Sequence, residues 1–235
     1  MIAGLQKMTL LDYPGKVACT VFFQGCNFQC PFCHNSGLLD REPEQELPRE
    51  ELLTFLKKRV GLLDGVCITG GEPTLDPALP ELLRQIKALG YAIKLDTNGS
   101  RPEVMKALAA EGLIDYVAMD IKNGPSYYGQ TTGLPGIRLE KVEGSIQWLL
   151  AGNIPYEFRT TVAAQLHSEA SIREITTWFE RLAPGVKAEK FFLQPFVDRD
   201  SVLQPGLHAP EAIELRKMAE ILGFSALSVQ IRGLD

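Results

Sequence analysis

The chain has 235 residues, 45% hydrophobic and 23% charged, with a formal charge of −5. This is the composition of a globular protein that can bury a sizeable core. Its acidic balance argues against a nucleic-acid partner, which wants a basic face. No run reaches the roughly 18 apolar residues of a membrane span, and the opening MIAGLQKMTLLDYPGK has no basic segment leading into an apolar run. The expectation is a cytoplasmic protein with no signal peptide and no membrane partner.

Taken in chain order, 17–23 (VACTVFF) is a β-rich run, and 49–59 has apolar positions at 52, 53 and 56, which is helical spacing. The acidic stretch 40–50 between them reads as a solvated loop. A short apolar strand at 65–69 is followed by a helix over 76–89, with Asp76 as N-cap and Pro77 at the first helical position. Strands are expected at 91–95, 116–119, 155–162, 190–193 and 226–231, and helices at 101–110, 138–151, 171–182 and 210–222. Six or seven β–α units in series imply parallel strands joined by right-handed crossovers. A full barrel would need eight. The expected fold is α/β, an open partial (β/α)6 TIM-like barrel in a single domain over 1–235. Its core would cover about 15–200, with a C-terminal extension over 201–235. Chemistry should gather after the C-terminal ends of the strands.

The cysteines lie at 19, 26, 30, 33 and 67. An odd, clustered set is not a secreted disulfide framework. Cys26, Cys30 and Cys33 form a C-x3-C-x2-C run directly after the first strand, and three thiolates on one short loop can ligate three irons of a cubane. A structural zinc site wants four ligands, and His34, adjacent to Cys33, would be a strained fourth. Cys19 and Cys67 read as small buried residues. Thr69–Pro73 (TGGEP) follows the second strand; its glycines permit close backbone approach to a ligand, and Glu72 can accept from an ammonium group. DTNG at 96–99 and MDIK at 119–122 follow the third and fourth strands. Read alone, the first is a common turn and the second a surface ion pair.

With Phe32 as the aromatic of C-x3-C-x-aromatic-C, the loop resembles the signature of the radical S-adenosylmethionine (SAM) superfamily. Together with Phe22 to Cys26, the CHN sequence at 33–35, GGEP, DTNG and D-x-K, the chain resembles the activating enzymes of glycyl radical enzymes. Its opening LDYPGK is closer to the anaerobic ribonucleoside-triphosphate reductase activating branch than to the pyruvate formate-lyase activators. The resemblance implies a [4Fe–4S] cluster on Cys26, Cys30 and Cys33, with Phe32 and His34 near the adenine of SAM. It places Gly70, Gly71 and Glu72, together with the DTNG residue Asn98, at the SAM site. Asp96, Thr97 and Asp120 would form a monovalent-cation site beside the SAM carboxylate, and Lys122 would approach that carboxylate. Arg159 matches a site arginine; at the sixth strand end, where activators often carry a Pro-aromatic-His whose histidine contacts the ribose, this chain reads Gln194-Pro195-Phe196-Val197, with Gln194 as the substitute for that contact.

The implied activity is that of an EC 1.97.1-type oxidoreductase. An electron from a flavodoxin or ferredoxin cleaves SAM to a 5′-deoxyadenosyl radical, which takes hydrogen from a glycine of a partner such as anaerobic ribonucleotide reductase. The competing readings are a radical SAM enzyme acting on a small molecule, similar to 7-carboxy-7-deazaguanine synthase, and a [4Fe–4S] electron-transfer protein. A protein of the latter kind would be expected to supply a fourth cysteine and has no use for GGEP.

Overall fold

The computed structural model describes residues 1–39, 46–199 and 201–233, so 40–45 of the expected acidic loop lie outside the described residues. The first half carries β1 (Ile2–Thr9), β2 (Ala18–Phe23), α1 (Arg49–Lys57), β3 (Gly65–Gly70), α2 (Leu79–Ala88), β4 (Ala92–Thr97), α3 (Pro102–Ala110) and β5 (Tyr116–Asp120). There follow α4 (Tyr128–Thr132), α5 (Glu140–Leu150), β6 (Tyr156–Val162), α6 (Glu169–Leu182), β7 (Ala188–Pro195), α7 (Ala212–Leu222) and β8 (Ala226–Ile231). The strands lie in chain order, β1 to β8, in an open α/β sheet. Among the described residues no helix is long and apolar enough to cross a membrane. The chain divides into two compact units, one of Met1–Asn27, Gly37–Thr97 and Arg101–Ala118, the other of Phe28–Ser36, Asn98–Ser100 and Met119–Asp235.

In the first unit β2, β3 and β4 pair in parallel, with Val21 opposite Ile68 and Ile68 opposite Leu95. Their β-branched runs are buried along most of their length, as expected for strands covered on both faces. Helix α2 buries Leu79, Leu82, Leu83 and Ile86, one face at helical spacing; a fully buried side chain of this size stabilises by about 1.5–3 kcal/mol. The helix starts three residues later than the sequence predicts. The GGEP stretch continues into a 3-10 turn over Pro73–Leu75 that Glu72 caps, and the Asp76 carboxylate accepts the Ala78 N–H at 2.8 Å before the helix begins. Strand β1 was not expected. It runs antiparallel to β2, and its sequence IAGLQKMT lacks clean alternation because its middle residues are half-buried or exposed.

In the second unit β6, β7 and β8 pair in parallel. Helix α6 begins two residues earlier than predicted because Ser168 and Ser171 form a reciprocal capping box. Phe158 of β6 meets Phe179 of α6 edge-on at 5.0 Å and Phe191 of β7 at 6.1 Å. The segment after 201, for which no motif was found, builds another β–α unit. The Arg232 guanidinium lies 4.1 Å from the Phe192 ring centroid and bonds the buried Glu157 at 2.9 Å.

Candidate active site

Cys26 belongs to the first unit, and the chain leading to it is pinned on both sides. The Gln24 N–H donates to Met1 O at 3.0 Å and the Gly25 N–H to Leu38 O. The Gly71 N–H donates to Phe23 O and the Glu72 N–H to Gly25 O, both at 2.8 Å. This explains the two glycines. A Cβ on Gly70, whose φ is +125°, would stand 2.2 Å from Phe23 N, and one on Gly71 would stand 2.1 Å from Gly25 O. Within this unit, then, the close approach that needs glycine is to the backbone carrying Cys26.

Glu72 is buried and its Oε1 accepts from the Thr74 N–H at 3.2 Å, the Thr74 hydroxyl and the Thr97 hydroxyl at 2.8 Å. Such a carboxylate is held in one orientation, as a buried charge requires. Asp96, on the same face of β4 as Lys94, accepts from the Lys94 ammonium, which is itself only 1% exposed. The Cys67 thiol lies 3.7 Å from Asp96 Oδ1 and 3.9 Å from Lys94 Nζ. Cys67 therefore packs against an ion pair. Cys19 is fully buried, and burial pushes its thiol up to about 12.

Cys30 and Cys33 belong to the second unit, and their loop is held by three elements. The Gln29 N–H donates to Thr132 O at 2.8 Å, and a Cβ on Gly133, which caps α4 at φ +69°, would stand 2.3 Å from Gln29 O. His34 stacks on Phe196 at 5.3 Å, its Nε2 2.8 Å from Val197 O. The Ser201 hydroxyl donates to His34 O at 2.8 Å, and the Gln204 N–H to Pro31 O at 3.0 Å. The QPFV stretch thus grips the cysteine loop through Phe196, while Gln194 sits opposite Thr161 near the end of β7.

Beside that loop lies a charged cluster. Asp120 accepts from Lys122 Nζ through Oδ2 and from Arg159 Nε through Oδ1, each at 2.9 Å. Burial works against the Asp120 carboxylate, but the two cations outweigh it and hold its pKa well below the usual carboxylate range. The Lys122 pKa is raised despite burial by Asp120 and by the nearby Cys30 sulfur. The ammonium also lies 6.0 Å from the Phe32 ring centroid. Burial raises the Cys33 thiol, opposed by the Asn35 amide and by Lys122. A thiol in this position keeps its proton until a metal displaces it.

The DTNG residues split in role. Asn98 is buried and its Oδ1 accepts the Ser100 N–H at 2.9 Å, while Gly99 O accepts the Ser145 hydroxyl at 2.7 Å and leaves no room for a Cβ against Met119. His167, given no role from the sequence, is buried and lies beneath the D-x-K strand end. Its Nδ1 takes the Ala163 N–H at 3.2 Å, so Nε2 carries the proton and donates to Lys122 O at 2.8 Å. Burial lowers its pKa, which keeps it neutral. A lone histidine in a loop carries no motif that could have marked it, nor does Lys94, which reads as the polar position of an alternating strand.

The donor set fits a cluster. Three cysteines lie within eight residues, none in a disulfide. Among the described residues no group of three acidic, cysteine or histidine side chains stands arranged for a metal. The donors expected to hold a monovalent cation are already engaged: Asp96 by Lys94, Asp120 by Lys122 and Arg159, and the Thr97 hydroxyl by Glu72.

Residues 20–175 match the radical SAM superfamily, and the chain belongs to it. This is a class of α/β proteins using a [4Fe–4S] cluster and SAM. The chain is 32% identical over its full length, and over 97% of the relative's, to a Methanocaldococcus jannaschii protein provisionally named a glycyl-radical enzyme activating enzyme. It is 34% identical over 131 residues, 52% of each chain, to the pyruvate formate-lyase-activating enzyme of Clostridium pasteurianum. Among solved structures, SuiB of Streptococcus suis bound to S-adenosylmethionine superposes with a TM-score of 0.67 at 16% identity, covering 91% of this chain and 52% of that one.

Proposed function

We propose that this chain is a cytoplasmic activating enzyme for a glycyl radical enzyme, with anaerobic ribonucleoside-triphosphate reductase as its partner and 1–235 acting as one functional domain. The observation that carries this reading is the charged cluster of Asp120, Lys122 and Arg159 beside the Cys30–Cys33 loop, on a chain whose full-length relative bears an activating-enzyme name.

Cys26, Cys30 and Cys33 would hold the [4Fe–4S] cluster as its three cysteine ligands. Reduced by a flavodoxin or ferredoxin, the cluster with SAM would supply the radical chemistry, cleavage of SAM with release of methionine, by which a Cα hydrogen is taken from a glycine of the partner. Lys122 provides an ammonium for the SAM carboxylate, a charge-assisted contact, and Asp120 with Arg159 keeps that ammonium aimed and charged. Glu72, oriented by Thr74 and Thr97, receives the SAM amino group, and Gly70 and Gly71 place the Cys26 strand-end against it. Phe32 and His34 flank the adenine, with Phe196 behind His34. Gln194 contacts the ribose, and Asn98 shapes the turn that carries Asp96 and Thr97.

The test is electron paramagnetic resonance on the reductase after anaerobic incubation with reconstituted protein, SAM and a reductant. A glycyl-radical doublet that vanishes when the reductase glycine is replaced by alanine is the expected result. SAM cleavage with no radical on the reductase, but with turnover of a purine-like small molecule, would overturn it in favour of a synthase.

A further inference from the structure

Lys94 and Asp96 stand two residues apart on one face of β4. The Lys94 side chain is 1% exposed and that of Asp96 13%, and the ammonium donates to Asp96 Oδ1. Cys67, the register partner of Lys94 on β3, lies 3.9 Å from Nζ and 3.7 Å from the same Asp96 oxygen. Lysine is almost never buried to this degree unless it is paired. Apolar residues of similar volume would serve stability as well as a buried ion pair does, so stability alone does not explain why a lysine stands here.

The place of the pair supplies a reason. Asp96 opens the DTNG stretch at the C-terminal end of its strand, where chemistry gathers in such folds. The family resemblance assigns this carboxylate to a monovalent cation. In this chain it meets an ammonium instead, and the adjacent Thr97 hydroxyl gives its proton to Glu72. A lysine ammonium is a compact point charge with three donors. It matches a potassium ion in charge and nearly in size, but it is tethered to the strand and need not be drawn from solution.

We propose that Lys94 is a built-in substitute for the monovalent cation, its ammonium neutralising Asp96 so that the SAM carboxylate can be accepted without a bound metal ion. Lys94 is then a positioning residue that acts through Asp96. The inference rests on the radical SAM reading above, which puts the SAM carboxylate beside Asp96.

The experiment measures the SAM Kd of anaerobically reconstituted protein in potassium chloride and in tetramethylammonium chloride at equal ionic strength, for wild type and Lys94→Ala. The wild-type Kd should agree within about twofold between the two salts. The alanine variant opens space beside Asp96. Its Kd should rise about tenfold in tetramethylammonium and return to within about threefold of wild type in potassium. That rescue is a readout that a merely structural lysine would not give.

A wild type that binds SAM tightly only in potassium would overturn the proposal. So would a variant whose Kd is the same in both salts, weakened or not. Thermal melts of the cofactor-free variant check its fold; a variant unfolded in both salts would also count against the proposal, because Lys94 would then be holding the core. The wild-type comparison decides independently of the variant. A wild type that binds no SAM in either salt would instead sink the functional reading, a failure distinct from any dependence on potassium.

Discussion

The strand ends of the two units are held in contrasting ways. In the first unit, order comes from backbone approach: Gly70 and Gly71 lie where any side chain would collide with Phe23 or Gly25, and Glu72 is fixed by three donors to one oxygen. In the second, order comes from charge and side-chain contact, with Asp120 between two cations, His167 on the Lys122 carbonyl and Phe196 on His34. The first arrangement can only break, whereas the second can be tuned. The first suits a rigid seat for a cysteine, the second a surface whose electrostatics must meet a charged ligand.

That contrast orders the expected effects. The largest belong to backbone approach. Gly71→Ala puts a Cβ 2.1 Å from Gly25 O, and no backbone neighbour can give that much, so a loss of about 3 kcal/mol and poor iron uptake are expected by thermal melt and iron analysis. In the second unit Gly133→Ala should behave alike, because it adds a positive φ to a 2.3 Å clash with Gln29 O. A mild phenotype there would show that the cysteine loop can shift.

Smaller effects follow from the charged cluster. Asp120→Asn removes the acceptor of two partly buried cations, and a loss of about 2 kcal/mol is expected, under the range of about 3–5 for a fully buried pair. Because the Asp120 pKa is depressed, its stabilisation is present above the ordinary carboxylate range near pH 4 and lost as pH falls below it. Denaturant melts from pH 7 to pH 3 should therefore converge for wild type and Asp120→Asn only at the acid end. His167 acts in a separate window. Its lowered pKa means that the unfolded chain takes up a proton below about pH 6.5 that the folded chain refuses, so stability falls as pH drops through that region. In His167→Gln this part of the slope should vanish.

The smallest effect concerns the expected cation site. With Asp96 already bonded to Lys94, replacing potassium by sodium or tetramethylammonium should alter SAM cleavage by less than about twofold, since a buried carboxylate with its own ammonium gains little from another cation. A strong potassium requirement would show that the Lys94 contact gives way when the cofactor binds.

The sequence placed the four motifs at successive strand ends because parallel β–α units announce themselves by alternating apolar runs and amphipathic spans, and β2 to β4 and β8 lie where that pattern puts them. It missed β1, whose middle residues lie half-buried or exposed and so carry no alternation, and α4, whose five residues are too few for a period. The motif residues were legible as residues but not in how they are held. GGEP reads as a ligand cradle until Gly25 and Phe23 are seen against it. Lys94 and His167 act through side-chain contacts, to Asp96 and to the Lys122 carbonyl, that no motif marks.

The measurement that bears most directly on the account is 5′-deoxyadenosine formation by anaerobically reconstituted protein with dithionite and SAM, wild type beside Cys30→Ala. The account predicts product and an equal yield of methionine from the wild type and none from the variant. A wild type that carries an intact, reduced [4Fe–4S] cluster and releases no 5′-deoxyadenosine, with or without its partner, would contradict it.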